Sequence, residues 1–453
     1  MRIRMSDLEA VLRRAPVLGV VVLLAGVLGG CAGGPLRPGF QSPPATPTPP
    51  ASPPQTPTPP PKPTLPAEPT WTPPPTKGPI TPTPVALCAF GPPAPPEPGP
   101  SLEAYVFSEP SVVLTHTSGI AIVGWLPDGQ QILIIRTTLE DRDYIETFNV
   151  QTRQIQRYAE RHSYSISPGT KLAWLSSPKA VAFVDRTANG QDVLRISWGE
   201  GMSVREVGSN LTTFLAASPD GNQVLFFSWG AKQPQVYNLA LDQTYLLPFF
   251  LPILSPQDLL ALGQIEGPIP YQAIWHPNGD RIGFYNDTGF YLANLITGQI
   301  CEINLGPHVD GKRWAVEARW SPDGRYLAAR TTVGDPVVQF IDLTLIDTIT
   351  GEQRHLDLGR QYISDMTWAP NSRDLLVAAE SDDHIRDLLY LVDAVTGDSR
   401  QILVNDSFVA AGYWGIAWSP TGQTIAVPCS TLKPSGASTE EGRVCTITVE
   451  VRQ

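Results

Sequence analysis

The chain has 453 residues and a formal net charge of −11, with 43 acidic residues against 32 lysines and arginines. This acidic balance, without a basic stripe or interleaved aromatic and basic residues, argues against nucleic acid as a partner. Proline is concentrated near the start, since 28 of the 48 prolines lie between Pro35 and Pro100. No core can form in that segment, whereas the rest of the chain is long enough to bury a large one.

The first residues have the layout of an export signal. Four arginines precede an uncharged run over residues 15–30, which ends in Leu28-Gly-Gly-Cys31. This layout resembles a lipoprotein signal peptide, and the resemblance implies removal of residues 1–30 and thioether lipidation of Cys31. An uncleaved transmembrane anchor is the alternative, because the uncharged run extended to residue 34 reaches 20 residues. Both alternatives place the body of the protein outside the cytoplasm.

Residues 31–100 are predicted to form the lipidated cysteine and a disordered Pro-rich tether. Strings such as Thr-Pro-Thr-Pro-Pro favour extended polyproline II, because proline fixes φ and removes a hydrogen-bond donor. At about 3.1 Å per residue the segment 35–100 reaches at most about 200 Å, a ceiling that disorder lowers. A spacer is the simplest interpretation, and threonine glycosylation or a proline-reading partner are the alternatives.

Near-copies of Trp-Ser-Pro-Asp-Gly occur seven times in the rest of the chain. The copies are Trp125-Leu-Pro-Asp-Gly129, Ser167-Pro-Gly169, Ser218-Pro-Asp-Gly221, Trp275-His-Pro-Asn-Gly279, Trp320-Ser-Pro-Asp-Gly324, Trp368-Ala-Pro-Asn-Ser372 and Trp418-Ser-Pro-Thr-Gly422. Successive prolines are 41, 51, 58, 45, 48 and 50 residues apart, which is the period of a four-stranded propeller blade. The order Pro, Asp or Asn, Gly favours a hairpin turn closed by a left-handed residue.

The tryptophan two residues before the proline is predicted to fill the wedge between neighbouring sheets. Five copies carry it, and Ile166 and Ala217 replace it in copies two and three. Unit seven holds three strands, the third of which ends at Val451. Residues 112–115 are the spare strand that would complete this unit, close the ring and remove an exposed sheet edge.

These hairpins and the apolar strands after them resemble the TolB-like, WD-repeat-like propellers of bacterial envelope proteins, over roughly residues 105–453. The resemblance implies an all-β fold, a seven-bladed β-propeller of four-stranded antiparallel blades that occupies residues 101–453. The chain departs from true WD repeats, because none of its 11 tryptophans is followed by Asp. The motif is specific for the fold and says little about function.

Four cysteines remain when Cys31 is lipidated. Cys429 ends the second strand of unit seven and Cys445 starts the third, so a disulfide between them is favoured and would contribute about 3 kcal/mol in an oxidising compartment. Cys88 lies at the end of the tether and Cys301 in a fourth strand. These two either pair with each other or remain free thiols.

The sequence carries no catalytic signature and predicts neither a metal nor a cofactor. It has no Gly-x-Ser-x-Gly elbow and no Gly-rich phosphate loop. Ser176-Ser-Pro-Lys179 and Ser430-Thr-Leu-Lys433 match Ser-x-x-Lys but lie between predicted strands. None of the six histidines has a partner at metal-ligand spacing, and His276 is expected to be a solvated turn residue.

Aromatic residues gather just upstream of the hairpins, where loops lead into the innermost strands at the mouth of the central channel. The set comprises Tyr271, Trp314, Tyr362, Tyr413 and Trp414. Such rings stack on sugars or grip peptides, which makes these five the candidate binding residues. Packing between blades is the alternative role.

The longest gap between two copies holds an apolar insert over residues 247–262. Its second half begins with Ser255-Pro-Gln-Asp258, a helix start signal. The insert either folds back over a sheet face or forms a docking patch for a partner or membrane.

Together these features predict an exported, lipid-anchored, monomeric propeller that acts as a non-catalytic binding or scaffolding module at the cell envelope. Its partner would be an envelope protein or a glycan, and its N-terminal lipid would attach it to the membrane. The alternative is a propeller enzyme of glycosidase or lyase type, whose catalytic residues converge in the channel from several blades. An inward-facing carboxylate pair would favour the enzyme, and an aromatic mouth poor in carboxylates would favour binding.

Overall fold

The computed structural model describes residues 86–89, 99–117, 119–137, 142–162, 171–209, 211–228, 233–249, 272–286, 289–305, 307–308, 311–312, 314–333, 340–356, 358, 362–381, 387–402, 409–410, 415–430 and 442–452. The predicted signal peptide, Cys31 and most of the predicted tether lie outside these residues. The described part is almost entirely strand and forms a seven-bladed β-propeller of four-stranded antiparallel blades, which confirms the predicted fold. Within blades 1 to 6 the strands pair in chain order, the innermost strand coming first.

The strands of each blade are given from the innermost outward. Blade 1 contains Ile120–Trp125, Gln131–Thr137, Arg142–Asn149 and Ile155–His162; blade 2 contains Leu172–Leu175, Ala180–Arg186, Asp192–Ser197 and Val204–Ser209; blade 3 contains Leu211–Ala217, Gln223–Ser228, Gln235–Asn238 and Gln243–Leu246. Blade 4 contains Gln272–Trp275, Arg281–Asn286, Gly289–Asn294 and Ile300–Ile303; blade 5 contains Trp314–Trp320, Tyr326–Val333, Phe340–Asp347 and Gln353–Leu356; blade 6 contains Ile363–Trp368, Asp374–Glu380, Asp387–Asp393 and Ser399–Ile402. Blade 7 contains Ala417–Trp418, Thr424–Ser430 and Gly442–Val451.

Short elements complete the described structure. A 3-10 helix spans Leu102–Ala104, and Pro307–His308 pairs with Gly311–Lys312 in a small hairpin between blades 4 and 5. Val409–Ala410 bridges the second strand of blade 7 and the third strand of blade 6.

Blade 7 takes its outermost strand from the N-terminal side of the propeller. Ser111–His116 pairs antiparallel with Gly442–Val451, and Tyr105–Phe107 pairs with the end of the same strand. The predicted closure by residues 112–115 is therefore confirmed. The two segments together are called the closure strand below. The Tyr105 hydroxyl also donates a hydrogen bond to the carboxylate of Asp374, so the closure strand contacts blade 6 as well.

The hairpins between innermost and second strands contain a residue in the left-handed region, as the motif predicts. Five copies place glycine there with φ between 65° and 77°, namely Gly129, Gly221, Gly279, Gly324 and Gly422. Ser372 adopts φ 61° in the copy that lacks glycine. At Gly324 space is a second constraint, because a Cβ would lie 2.5 Å from the ring of His276.

The prediction for the second copy is wrong. The innermost and second strands of blade 2 are joined at residues 176–179, where Lys179 has φ 62°. The first Ser-x-x-Lys match is therefore this hairpin turn. Residues 167–169, where the copy was predicted, lie outside the described residues.

The tryptophan of the repeat is also present in blade 2. Trp174 pairs with Val181 in the register that Trp125 has with Ile132, so Trp174 occupies the position predicted for Ile166. The turn of blade 2 was assigned to Ser167-Pro-Gly169, because the real turn has Lys179 where five of the other copies have glycine. Blade 3 keeps Ala217 at this position, opposite Val224, as predicted.

The wedge role of the tryptophans is confirmed by contacts with the preceding blade. Trp174 packs edge-on against Tyr158 of blade 1, with ring centroids 5.3 Å apart. Trp125 donates its indole N–H to the backbone oxygen of Ala417 in blade 7, at 3.1 Å. The hydrophobic clusters accordingly lie between neighbouring blades, and each sheet buries both of its faces.

The turns between third and outermost strands repeat a second device. In blades 4, 5 and 6 the side chain of an Asn or Asp accepts two backbone N–H groups of the turn, and a glycine two residues before the outermost strand has φ between 70° and 80°. Arg153 and Asp242 take this left-handed position in blades 1 and 3, at φ 60° and 53°. The turns that lack glycine therefore keep the same backbone shape.

Two disulfides join elements of the propeller. Cys429 is bonded to Cys445 within blade 7, which is the pair that the sequence favours. Cys88 is bonded to Cys301 in the outermost strand of blade 4, so of the two alternatives for these cysteines the structure contains the pair. Leu87 forms a parallel bridge with Glu302 beside this bond. Contacts with the propeller thus begin upstream of residue 101.

The apolar insert folds back where the structure describes it. Leu247 and Phe249 are buried in the cluster between blades 3 and 4, and the Phe249 ring meets Phe284 edge-on at 5.8 Å. Residues 250–262, including the predicted helix start, lie outside the described residues.

Candidate functional site

The structure describes two of the five candidate aromatic residues. Trp314 begins the innermost strand of blade 5, and Tyr362 immediately precedes the innermost strand of blade 6. Both therefore lie at the same end of their strands, on adjacent blades. Tyr271, Tyr413 and Trp414 lie outside the described residues, so whether the five form one surface stays a prediction.

Tyr362 is half-buried and packs between blades, which is the alternative role considered for this set, and its binding role stays a prediction. Its ring packs against the hydrophobic cluster between blades 5 and 6. The guanidinium carbon of Arg330 lies 5.9 Å from the ring centroid, within range of a cation–π contact. Its backbone oxygen accepts the N–H of Glu380 at 2.8 Å, which fixes the start of the strand.

A charged cluster lies next to Tyr362. Glu317 accepts from Arg319 and Arg330, each at 2.6 Å, and Arg319 also contacts Asp365 at 2.8 Å. Glu317 and Arg319 are on the innermost strand of blade 5, and Asp365 is on the innermost strand of blade 6. We call these four residues the channel cluster.

Bulges in the two innermost strands position the carboxylates. The register shifts between Ala315 and Glu317 in blade 5 and between Ile363 and Asp365 in blade 6. A bulge reorients the side chains next to it, and bulges are frequent beside functional sites. Glu317 and Asp365 thus occupy equivalent places in neighbouring blades.

Asp365 joins three blades through backbone and side-chain donors. Its Oδ1 accepts from Arg319 and from the N–H of Met366, both at 2.8 Å, and its Oδ2 accepts the N–H of Ile416 in blade 7 at 2.6 Å. Burial raises the pKa of Asp365 to about 6, although the guanidinium of Arg319 opposes this shift. Burial also acts on Glu317, but Arg319 and Arg330 outweigh it and lower the pKa of that carboxyl.

The channel cluster offers charged contacts more readily than acid–base chemistry. The Arg319 and Glu317 side chains retain 35% and 24% of their exposure, whereas Asp365 retains 6%. Two guanidinium groups favour the charged state of Glu317, whereas Asp365 already accepts three N–H groups but is buried, which favours its protonated form. Within the residues that the structure describes, no group of three His, Cys, Asp or Glu could hold a metal ion.

Sequence reasoning missed the channel cluster. Its members are isolated charged residues on different strands, and they come together only through the stacking of blades 5 and 6. The one local signal is Glu317 and Arg319, which interrupt an otherwise apolar strand, Trp314-Ala-Val-Glu-Ala-Arg-Trp320.

The opposite end of blades 4 to 6 carries a cleft of about 510 Å³, lined by hairpin turns and by Gly99 and Pro100. His276 in this cleft is buried and not solvated, which corrects the sequence expectation. Its Nδ1 accepts the N–H of Asn278 and its Nε2 lies 3.2 Å from the Gly324 oxygen, while its ring meets Trp320 edge-on. Burial lowers the pKa of His276, and neighbouring Arg281 adds to the effect. His276 is thus a packing residue of the repeat.

Among the residues described, no helix is both long and apolar enough to span a membrane. Comparison with protein-family models and with curated proteins found no match. Among solved structures, the β-propeller domain of Cps50 (Swd1) from Myceliophteria thermophila is similar at 12% identity with a TM-score of 0.47, over 74% of this chain and 99% of that chain. TolB from Acinetobacter baumannii is similar at 15% identity with a TM-score of 0.37, over 70% of this chain and 79% of that chain. The seven-bladed propeller fold itself is established by the strand pairing of the chain.

Proposed function

We propose that this protein is an exported, lipid-anchored propeller that binds an envelope protein or a glycan at its channel mouth without catalysing a reaction. The observation that carries the proposal is the channel cluster beside Tyr362. Arg319 and Glu317 stay partly exposed there, while an aromatic ring and a guanidinium group lie within contact range. Alternating charges next to aromatic faces suit a peptide or sugar better than a reaction centre.

Export is supported by the cysteines. Both disulfides tie β-structure together, and such bonds persist in oxidising compartments outside the cytoplasm. The signal-like layout before Cys31 agrees with this location, and lipidation at Cys31 would supply the membrane attachment.

Replacing Cys31 by serine tests the anchor. We expect the processed form of Cys31→Ser to be lost from the membrane fraction, because the lipid and not the apolar run holds the mature protein. The measurement is fractionation of cells followed by mass analysis of the mature N-terminus. A variant that is trimmed to the mature size and still sediments with membranes contradicts the lipoprotein assignment.

Replacing the aromatic residues tests the binding mouth. The variant with Tyr271, Trp314 and Trp414 all changed to Ala should lose capture of envelope partners, or of glycans on an array, with little change in Tm. The tagged propeller without its lipid is the bait. Trp418→Ala is the matched control, because Trp418 is a buried wedge and its loss should cost about 3–5 kcal/mol of stability. A stability loss of that size in the triple variant would show that these rings pack the blades instead.

The propeller enzyme remains the second candidate, because Glu317 and Asp365 contact the same guanidinium nitrogen and face each other across two blades. A carboxyl with pKa about 6 is within the range of a general acid. The distinguishing measurement is hydrolysis or elimination on a panel of polysaccharides. Turnover by the wild type that disappears in both Glu317→Gln and Asp365→Asn would favour the enzyme over the binding module.

A further inference from the structure

Among the described residues, the first to contact the propeller are residues 86–89 near the end of the predicted tether, and they lie at the outer edge of blade 4. Cys88 donates its N–H to the oxygen of Glu302, and Glu302 donates its N–H to the oxygen of Ala86, both at 2.9 Å. The Cys88–Cys301 disulfide lies beside these two hydrogen bonds. Residues 86–89 therefore form an isolated parallel bridge with the outer edge of blade 4, and the disulfide holds them there covalently.

The next described residues contact other blades. Gly99 passes Arg373 of blade 6 so closely that a Cβ would lie 2.5 Å from the Arg373 side chain. Glu103 forms an ion pair with Arg400 of blade 6 at 3.0 Å. The closure strand of blade 7 then begins at Tyr105. In chain order, the covalent attachment to blade 4 thus lies near the end of the predicted tether and before the closure strand.

The closure strand is poorly arranged to resist a pull from its own N-terminal end. Tyr105 is opposite Val451 at one end of an antiparallel pair, and His116 is opposite Gly442 at the other end. A force that separates Tyr105 from Val451 breaks the rungs one at a time, because the hydrogen bonds of an antiparallel pair lie perpendicular to the strands. Removal of this strand would leave blade 7 with an unpaired edge and open the ring.

The Cys88–Cys301 disulfide changes the point at which such a force enters the propeller. With Cys88 joined to Cys301, tension on the preceding chain passes into the outermost strand of blade 4 and does not reach Tyr105. The two hydrogen bonds at Glu302 alone cannot hold residues 86–89 on blade 4 under tension, because each contributes only about 1 kcal/mol of stability.

We propose that the Cys88–Cys301 disulfide is a mechanical clamp that keeps the closure strand free of load when the tether is pulled. Its biological use rests on the proposed membrane anchoring, since a partner held at the channel mouth would then pull against the lipid. The clamp itself is a property of the folded chain and does not depend on lipidation.

Single-molecule pulling tests the clamp on the full chain, with one handle in the tether and the other at the C-terminal end. The variant Cys88→Ser with Cys301→Ser should show an added early release at low force. Freeing residues 89–116 lengthens the chain by on the order of 100 Å at about 3.6 Å per residue. Wild type should lack this event. The matched control, Cys429→Ser with Cys445→Ser, should lack this release of residues 89–116 too, because it leaves Cys88 bonded to Cys301.

A second measurement covers the case in which the first variant folds poorly. Dithiothreitol added to the folded control variant reduces only Cys88–Cys301 among the disulfides described, and it should introduce the early release in molecules that did not show it before. The clamp is refuted if oxidised wild type already shows the early release, or if neither the serine variant nor reduction produces it. None of these readouts uses a partner or the lipid, so they stand apart from the tests of anchoring and binding.

Discussion

Asp365 shows how a single buried carboxyl can link three blades at a cost in free energy. It receives hydrogen bonds from Arg319, Met366 and Ile416, which belong to blades 5 and 6 and to the start of blade 7. Burial nevertheless favours its protonated form, and its pKa of about 6 exceeds the ordinary value of 3.8. Burying this carboxyl thus lowers the stability of the fold, while its hydrogen bonds fix the arrangement of charges beside the channel mouth.

The pH dependence of stability follows from this shift. The folded state binds the Asp365 proton more tightly than the unfolded state, so the contribution of this group is fully present below about pH 4 and is lost as the pH rises through about 6. A difference of about two pKa units corresponds to roughly 3 kcal/mol. We expect Asp365→Asn to remove this dependence, so that its Tm rises relative to wild type between pH 4 and pH 7.

The measurement is a series of thermal unfolding curves at constant ionic strength for the two proteins. Glu317→Gln is a comparison at lower pH, because the lowered pKa of Glu317 makes its contribution to stability present above the ordinary value of 4.5 and lost as the pH falls below it. A Tm difference between wild type and Asp365→Asn that stays constant with pH would contradict the argument.

At the scale of the element, the repeated hairpin sets the contact between blades. The hairpin delivers a tryptophan to the neighbouring blade, and the environment of that ring differs from copy to copy. Trp368 is buried, stacks on Tyr326 of blade 5 and donates to the oxygen of Arg319 at 2.9 Å. Trp275 is only half-buried and donates to Gly279 in its own turn. Equivalent sequence positions therefore differ in their contribution to stability.

Two truncations measure this difference. Trp368→Ala should cost about 3–5 kcal/mol, because it removes a large buried ring between two blades. Trp275→Ala, at the same repeat position, should lower the stability clearly less. Its indole N–H donates to Gly279 in its own turn, and part of its ring is already exposed to solvent. Trp368→Phe should lose about 1 kcal/mol for the missing hydrogen bond. Chemical denaturation of the three variants compares these values, and equal losses for Trp368→Ala and Trp275→Ala would contradict the ranking.

How far the elements were predictable depended on local chemistry. Full or near matches to Pro, Asp or Asn, and Gly identified six of the seven hairpins, because a left-handed turn residue is a local requirement. The hairpin of blade 2 was not identified, because Lys179 adopts the left-handed conformation there in place of glycine. Ser167-Pro-Gly169 resembles the motif more closely than the sequence of the real turn does. The channel cluster could not be predicted, because Glu317 and Asp365 meet only when blades 5 and 6 stack. Trp314 and Tyr362 lie where their place in the repeat predicts, at the start of innermost strands, and their role in binding stays a prediction.

At the scale of the whole molecule, the ring depends on one strand that is distant in sequence from its partner. The closure strand was predictable, because unit seven needed a fourth strand and residues 112–115 supplied one. The pairing of Cys88 with Cys301 was not, because their sequence separation of 213 leaves no local geometry from which to choose a partner.

Deleting the closure strand should therefore act on the entire molecule. A chain that lacks all residues through His116 loses the outermost strand of blade 7, exposes an unpaired edge and should aggregate. Deletion of residues 32–85 alone should be tolerated, because it spares both the attachment of residues 86–89 to blade 4 and the closure strand. Light scattering and thermal unfolding compare the two proteins. Equal stability of the two deletions would show that the ring does not depend on this strand.

Pairing of Tyr105 with Val451 also sets an order of events during synthesis. The closure strand leaves the ribosome before any blade, yet its partner strand, Gly442–Val451, follows all six other blades. Contacts between residues so far apart in the chain form slowly, and unpaired strand edges are prone to aggregate until the partner strand has paired with them. The protein must therefore pass through a period in which six blades can be complete while the ring is open, and protection of that open form is a requirement of its biogenesis.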